Sequence, residues 1–302
     1  MSSDTSPAPR AQCAVVPAAG FATRFLPATK AVPKELLPIV DRPVLQYIVE
    51  EAVAAGLGNV LLITGRGKTS MVDYFDRRPE LEAALAARGN QDRLDAIRQP
   101  SDLAEIYAVR QPEMLGLGHA VGCAASHVRD SPFAVLLPDE FPDDSTALLP
   151  RMIDLQAHTG GIVLAFVEVP DDQVSRYGIA SVEPYDGDAV TVTGLVEKPP
   201  QGSAPSNLAV IGRYVLPGTI FDAIRRTTPG AGGEIQLTDA MALLLAEGTP
   251  VHGIIHRGDR YDTGVPLGYL QAVVRLACQR DDVGPAFREW LEGFVRDGGA
   301  RG

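Results

Sequence analysis

Apolar positions along the chain follow two rhythms. Residues 13–16 form a short continuous apolar run closed by Pro17, as expected of a strand buried on both faces. Pro43 can occupy a first helical turn, and Leu45, Ile48, Val49, Ala52 and Val53 then recur at the spacing of one helix face. Gly56 and Gly58 stop that helix, and residues 59–64 return to a β-like run. Residues 69–75 and 79–97 read as helical, 105–109 as a strand, 118–127 as a helix and 133–137 as another strand. This alternation predicts a parallel, twisted sheet with helices on both sides.

The second half has a different rhythm. Residues 161–169, 179–184, 189–196 and 209–216 are β-like with few helical patterns between them. Tyr185-Asp186-Gly187-Asp188 reads as a hairpin turn between two of these strands. Helical patterns return at 219–226, 237–247, 266–279 and 285–295. The expected fold class is α/β: a Rossmann-like twisted mixed sheet flanked by helices, with both halves sharing one sheet. Residues 1–10 read as a disordered tail and 291–302 as a second tail. Between them, 11–290 is one domain, with a nucleotide-binding half over 11–150, a mixed-sheet half over 151–265 and closing helices over 266–290.

Composition narrows the partners. The chain has 302 residues, enough for a substantial core, and a net charge of −11 without a basic stripe. That charge argues against a nucleic-acid partner. No apolar stretch approaches the roughly 20 residues of a membrane span, and the first residues lack the apolar centre of a signal peptide. Cys13, Cys123 and Cys278 are too scattered for a disulfide framework. Cys13 and Cys123 read as small core residues, and a reducing cytoplasm is the expected compartment. His252 and His256 lie four apart on a strand-like run, a spacing that does not make a zinc pair.

Local chemistry is concentrated after the first strand. Ala18, Ala19 and Gly20 let backbone N–H groups approach a ligand, and Arg24, Lys30 and Lys34 add three cations within a short loop. The combination suits an anion carrying more than one phosphate. It is not a dinucleotide fingerprint, because Gly20 stands alone. Gly65-Arg66-Gly67-Lys68-Thr69 mimics the end of a P-loop but has Leu62 where the motif needs Gly, so Lys68 reads as a solvated lysine in a turn.

Ligands of an open parallel sheet gather beyond the carboxyl ends of its strands. That rule joins residues 20–34 to Gln111, Gly116 and Gly118, and to Asp139. A glutamine amide suits the edge of a pyrimidine, and the two glycines permit close approach to a base or ribose. Asp139 follows a buried strand and either caps the next helix or holds a divalent cation. Glu140, Asp143 and Asp144 read as solvated loop charge. Asp262 is a second candidate carboxylate, and two carboxylates suffice for magnesium bound to polyphosphate. Glu197 and Lys198 end a strand; neighbours there point to opposite faces, so a local ion pair is geometrically poor. They read as separate groups, Glu197 for sugar hydroxyls and Lys198 for a phosphate.

Taken together, AAGFATRFLPATKAVPKELLPIVDRPVLQY, RQPEMLGLGHAV, LLPDE, VEKP, SNLAVIGRYVL, GAGGEIQLTDA and the DTG at Asp262 resemble one family. It is that of bacterial UTP–glucose-1-phosphate uridylyltransferases, in the sugar-nucleotidyltransferase superfamily, and the likeness runs collinearly from about residue 11 to 290. The resemblance implies a nucleotide-diphospho-sugar transferase fold and formation of UDP-glucose and pyrophosphate from UTP and glucose 1-phosphate. It implies that Ala18, Ala19, Gly20, Gln111, Gly116 and Asp139 hold the nucleotide, with Arg24 and Lys34 on its phosphates. It further implies that Gly178, Glu197, Lys198 and Asn207 meet the sugar phosphate, and that Asp139 with Asp262 binds Mg2+. Arg24, Lys34, Asp139 and Lys198 are then the catalytic set. Glu140 departs from the family pattern, in which a second Asp often follows the metal-binding one. A homo-oligomer, dimer or tetramer, is also implied. The apolar stripe of Phe287, Trp290, Leu291 and Phe294 is a candidate contact, although docking on its own chain is the expectation.

Overall fold

The computed structural model describes residues 9–142 and 145–298. Asp143, Asp144, residues 1–8 and residues 299–302 lie outside the described residues. Strands in chain order are β1 Cys13–Pro17, β2 Pro38–Ile39, β3 Arg42–Pro43, β4 Asn59–Thr64, β5 Glu105–Arg110, β6 Phe133–Leu136 and β7 Glu140–Pro142. There follow β8 Ile162–Glu168, β9 Gly178–Asp186, β10 Ala189–Glu197, β11 Leu208–Leu216, β12 Val251–Ile255 and β13 Arg260–Asp262.

Nine of these form one sheet in the order β5-β4-β1-β6-β11-β8-β12-β10-β9. β5, β4, β1 and β6 run parallel. β11 is antiparallel to both β6 and β8, so the mixed half begins inside a continuous sheet. Alternate residues serve opposite faces. Ala14, Val16, Val60, Leu62, Ala134 and Leu136 pack into one core layer, whereas Val15, Leu61, Ile63, Phe133 and Val135 pack into the other. Two-sided burial is why these strands read as unbroken apolar runs. Cys13 lies in the second layer, and burial pushes its thiol up to about 11.

Several elements differ from the expectation. The 79–97 pattern is two helices, Pro79–Ala87 and Gln91–Leu103. Gly89 takes a left-handed φ of 64°, and the Asn90 side chain accepts the Arg93 N–H at 3.2 Å, capping the second helix. Helix Ser145–Thr159 follows the acidic loop, where the sequence offered no reading. Helix Gly284–Arg296 continues past residue 290. Its aromatic stripe stacks on itself, with Phe287–Trp290 at 5.6 Å and Trp290–Phe294 at 5.2 Å between ring centroids. Trp290 stays 57% and Phe294 46% exposed, whereas Phe287 and Leu291 are half-buried, so the stripe docks on its own chain only in part. No helix among the described residues is long and apolar enough to cross a membrane.

Candidate active site

The parallel strands β1, β4, β5 and β6 release their loops along one sheet edge. Beyond β1 the chain makes three short 3-10 turns, at Thr23–Phe25, Ala28–Lys30 and Lys34–Leu36. Phe25 packs edge-on against Tyr269 at 5.8 Å, which ties this loop to helix Pro266–Gln279. Buried charge holds its other side. Lys68 Nζ donates to Ala18 O at 2.7 Å and pairs with Glu35, 1% exposed, at 3.0 Å. Lys68 is therefore not a solvated lysine. Burial lowers its pKa, with Glu35 pulling the other way.

A cavity of about 390 Å³ opens against Ala19, Gly20, Gln111 and Gly116, four of the residues expected to face the nucleotide. Ala18 stands behind it, with its N–H donated to Ile63 O at 2.8 Å and its carbonyl taken by Lys68. Gln111 is 6% exposed, and its amide nitrogen lies 3.3 Å from Gly116 O and 3.0 Å from His119 Nδ1. His119 is a partner that the sequence reading missed. Gly116 has φ 98°, and a β-carbon there would come within 2.7 Å of Glu234 Cβ, so only glycine fits. A larger cavity, about 660 Å³, continues past Ala19 and Gln111 to Arg66 and Lys68.

A further cavity of about 290 Å³ shares Leu117 and Glu234 with the first. Asp139, Gly178, Glu197, Lys198 and Asp262 line it. Gly178 and Glu197 are register partners on β9 and β10. Glu197 and Lys198 do pair, at 3.1 Å. Lys198 lies just past the strand with φ 43°, and this bend overrides the opposed-faces rule. Asn207 is exposed and outside the cavity lining, with its carbonyl accepting the Val169 N–H at 3.0 Å.

Beside the second cavity, Lys34 Nζ lies 2.6 Å from Asp139 Oδ2. Arg24 Nη1 donates to Gly264 O at 3.4 Å, close to Asp262. A loop from residues 20–34 and another from 262–264 thus meet across most of the sequence.

A fold of this topology, with such an arrangement at its edge, has close counterparts. The family model described as nucleotidyl transferase matches residues 13–279. The chain belongs to the nucleotidyl transferase family. Among its relatives are two UTP–glucose-1-phosphate uridylyltransferases. That of Bacillus subtilis is 44% identical, covering 93% of this chain and 96% of the relative. That of Staphylococcus haemolyticus is 43% identical, covering 94% and 97%. The solved UTP-bound UGPase from Acinetobacter baumannii superposes with a TM-score of 0.86 at 42% identity, covering 93% of this chain and 99% of that one.

A nucleotidyl transferase must accommodate dense phosphate charge, and two carboxylates, Asp139 and Asp262, face the second cavity. A β-carbon built on Gly264 would lie 3.0 Å from Asp139 Oδ2 and 3.2 Å from Asp262 Oδ1, so both carboxylates flank Gly264, whose N–H donates to Asp262 Oδ1 at 3.0 Å. The Lys34 ammonium already sits on one of them. Among the described residues no group of three or more His, Cys, Asp or Glu could hold a metal ion. Two carboxylates completed by phosphate oxygens are the pattern of polyphosphate-bound divalent ions.

Glu140 is not solvated loop charge. Its carboxylate accepts the Gly212 N–H and the Arg260 guanidinium. Burial pushes the carboxyl above the usual carboxylate range, against the pull of Arg260. Arg213, Arg260, Glu234 and Thr238 were likewise absent from the expected site. The partners of Arg213 and Arg260, Glu51 and Glu140, lie far away in sequence.

Proposed function

We infer that this nucleotidyl transferase forms UDP-glucose and pyrophosphate from UTP and α-D-glucose 1-phosphate. The observation that carries the reading is the pair of adjoining cavities, the second lined by Asp139 and Asp262, with Lys34 bonded to Asp139 and Arg24 to Gly264. Relatives named for that activity, 42–44% identical over more than nine-tenths of the chain, support it.

Ala19, Gly20, Gln111 and Gly116 hold the nucleotide, with the backbone approached closely by base and ribose. Glu197 accepts hydrogen bonds from sugar hydroxyls, Gly178 lets the sugar lie flat against β9, and Lys198 meets the sugar phosphate. Asn207 borders this region from outside the cavity. A phosphate oxygen of glucose 1-phosphate attacks the α-phosphorus in line. A phosphate monoester loses its second proton at about pH 6, so the nucleophile is ionised at neutral pH and no general base is required. The barrier is the approach of two polyanions, and the protein lowers it by alignment and charge neutralisation. Arg24 neutralises the departing pyrophosphate, and Lys34 exchanges Asp139 for nucleotide phosphate. Asp139 and Asp262 would hold Mg2+, which supplies charge neutralisation on the phosphates when bound.

The exposed rings of Trp290 and Phe294 support self-association as a dimer or tetramer. Three free cysteines suit a cytoplasmic enzyme. Pyrophosphate release tests the reading: it should require UTP, glucose 1-phosphate and Mg2+ together. Release with dTTP or another sugar phosphate in preference would reassign the substrate.

A further inference from the structure

We propose that Arg213, Glu51, Glu140 and Arg260 form a positioning frame that fixes the carboxylates of Asp139 and Asp262 relative to one another. The inference rests on the metal site proposed above.

Arg213 is 1% exposed and heads the fully buried side chains by size among the described residues. It enters from β11 where the register against β8 slips between Ile211 and Tyr214. Its Nε and Nη2 each donate to one oxygen of Glu51, at 2.7 and 2.6 Å. The guanidinium also serves backbone. Nη1 donates to Leu137 O at 3.2 Å and Gly212 O at 2.9 Å, and Nη2 to Glu140 O at 2.9 Å. The Leu137 and Glu140 carbonyls flank Pro138 and Asp139. One buried cation therefore grips the turn that carries Asp139 at both of its ends.

The Glu140 side chain extends the network to the second carboxylate. It accepts the Gly212 N–H and the Arg260 guanidinium. Arg260 opens β13, and Asp262, the last residue of that strand, sits opposite Glu140 in the β7–β13 ladder. Thr263 Oγ1 closes the loop by donating to Asp139 O at 2.9 Å. Two strands of three residues are too short to keep their register unaided. The Glu140–Arg260 pair supplies the tie.

Stability alone is a weak reason for such a network. Buried ion pairs replaced by apolar groups of equal volume often cost nothing, whereas fixed geometry needs directional partners. Hydrogen bonds from Arg213 to the two flanking carbonyls are directional in this sense. They act on the backbone of the Asp139 turn, so the four residues are positioning residues.

Glu140→Gln tests the frame. The amide keeps the size and still accepts from Gly212 but loses the ion pair with Arg260. Mn2+ binding to the full chain with a non-reacting UTP analogue, followed by electron paramagnetic resonance, should weaken about tenfold, as for other residues that orient metal ligands. Binding of the analogue without metal should stay within about twofold, a readout that general loosening of the fold would move. Arg260→Met should match E140Q, and the double variant should be no worse than either, because the two act as a unit. Arg260→Lys, which keeps the charge, should recover part of the loss and serves as the second variant if E140Q melts early. Folded E140Q with native Mn2+ affinity, or multiplying effects in the double variant, would overturn the frame. Asp139→Asn separates the two ideas. Lost Mn2+ binding in D139N with native binding in E140Q removes the frame alone, and native binding in both removes the site and the frame together.

Discussion

The two adjoining cavities differ in what their walls are made of. Against the parallel half, the wall is mostly main chain and small or apolar side chains, Ala19, Gly20, Gly116 and Leu117 among them, with Gln111 and Thr23 polar and Glu234 the charged side chain among the described residues. Against the mixed half, the wall is charged, and four of its charges already hold one another: Lys198 with Glu197, Arg260 with Glu140. Main-chain recognition needs only a strand end and small residues, so a short local stretch builds it. Side-chain recognition needs each charge aimed by a partner, and those partners come from several elements. Apart from Gly116, the first cavity should therefore tolerate side-chain replacement better than the second, where Asp139 and Asp262 should tolerate it least.

The two aspartates of the charged cavity give the largest expected effect. Asp139→Asn and Asp262→Asn should each lower kcat on the order of 10³, the loss of several kcal/mol of charge stabilisation. Their double variant should be little worse than either single one, since residues serving one ion are not additive. Steady-state rates over a Mg2+ series check this, and independent multiplying losses would separate the two carboxylates. Arg24→Ala should cost on the order of 10²–10³ in kcat with glucose 1-phosphate binding almost intact. Near-native turnover would move the pyrophosphate contact elsewhere.

Effects on stability come next. Lys68→Met leaves Glu35 as an unpaired buried charge, a loss of about 3–5 kcal/mol in comparable pairs. A urea midpoint that drops with unchanged slope is the expected outcome, and an unchanged midpoint would show that the pair does not hold the loop. The smallest effect is on pH dependence. Burial lowers the pKa of His252 from 6.5, with His158 adding to it, and its Nδ1 has no hydrogen-bond partner. The unfolded chain then binds this proton at a higher pH than the folded one. The stability from neutral His252 is complete above pH 6.5 and is lost as pH falls towards the lowered value. His252→Gln should flatten the change in urea midpoint between pH 7.5 and 5.5, and an unaltered slope would assign that change to other groups.

The contrast between the cavities also governs what the sequence made legible. β1, β4 and β6 are buried on both faces, so their apolar runs were readable, and the loop rule then placed Ala19, Gly20, Gln111 and Asp139 at one edge. Glu197–Lys198 misled because the expectation assumed strand geometry up to Lys198, where φ turns positive. Glu140 misled because an acidic run looks solvated until Arg260, far along the chain, is brought beside it. Arg213 gave no local signal: an arginine inside an apolar β-run is informative only once Glu51 is known to face it. Pairings over such separations are set by the sheet order, which adjacent residues do not encode.

The division of labour between the cavities is tested most directly by calorimetry of each substrate alone, using a non-reacting UTP analogue and glucose 1-phosphate. Glu197→Ala should weaken glucose 1-phosphate binding and leave the UTP analogue nearly unchanged. Gln111→Ala should do the reverse and narrow the preference for a UTP over a CTP analogue, because a buried hydrogen-bonding group no longer penalises the wrong base. A Glu197→Ala protein that lost affinity for the UTP analogue alone would contradict the assignment of the charged cavity to the sugar.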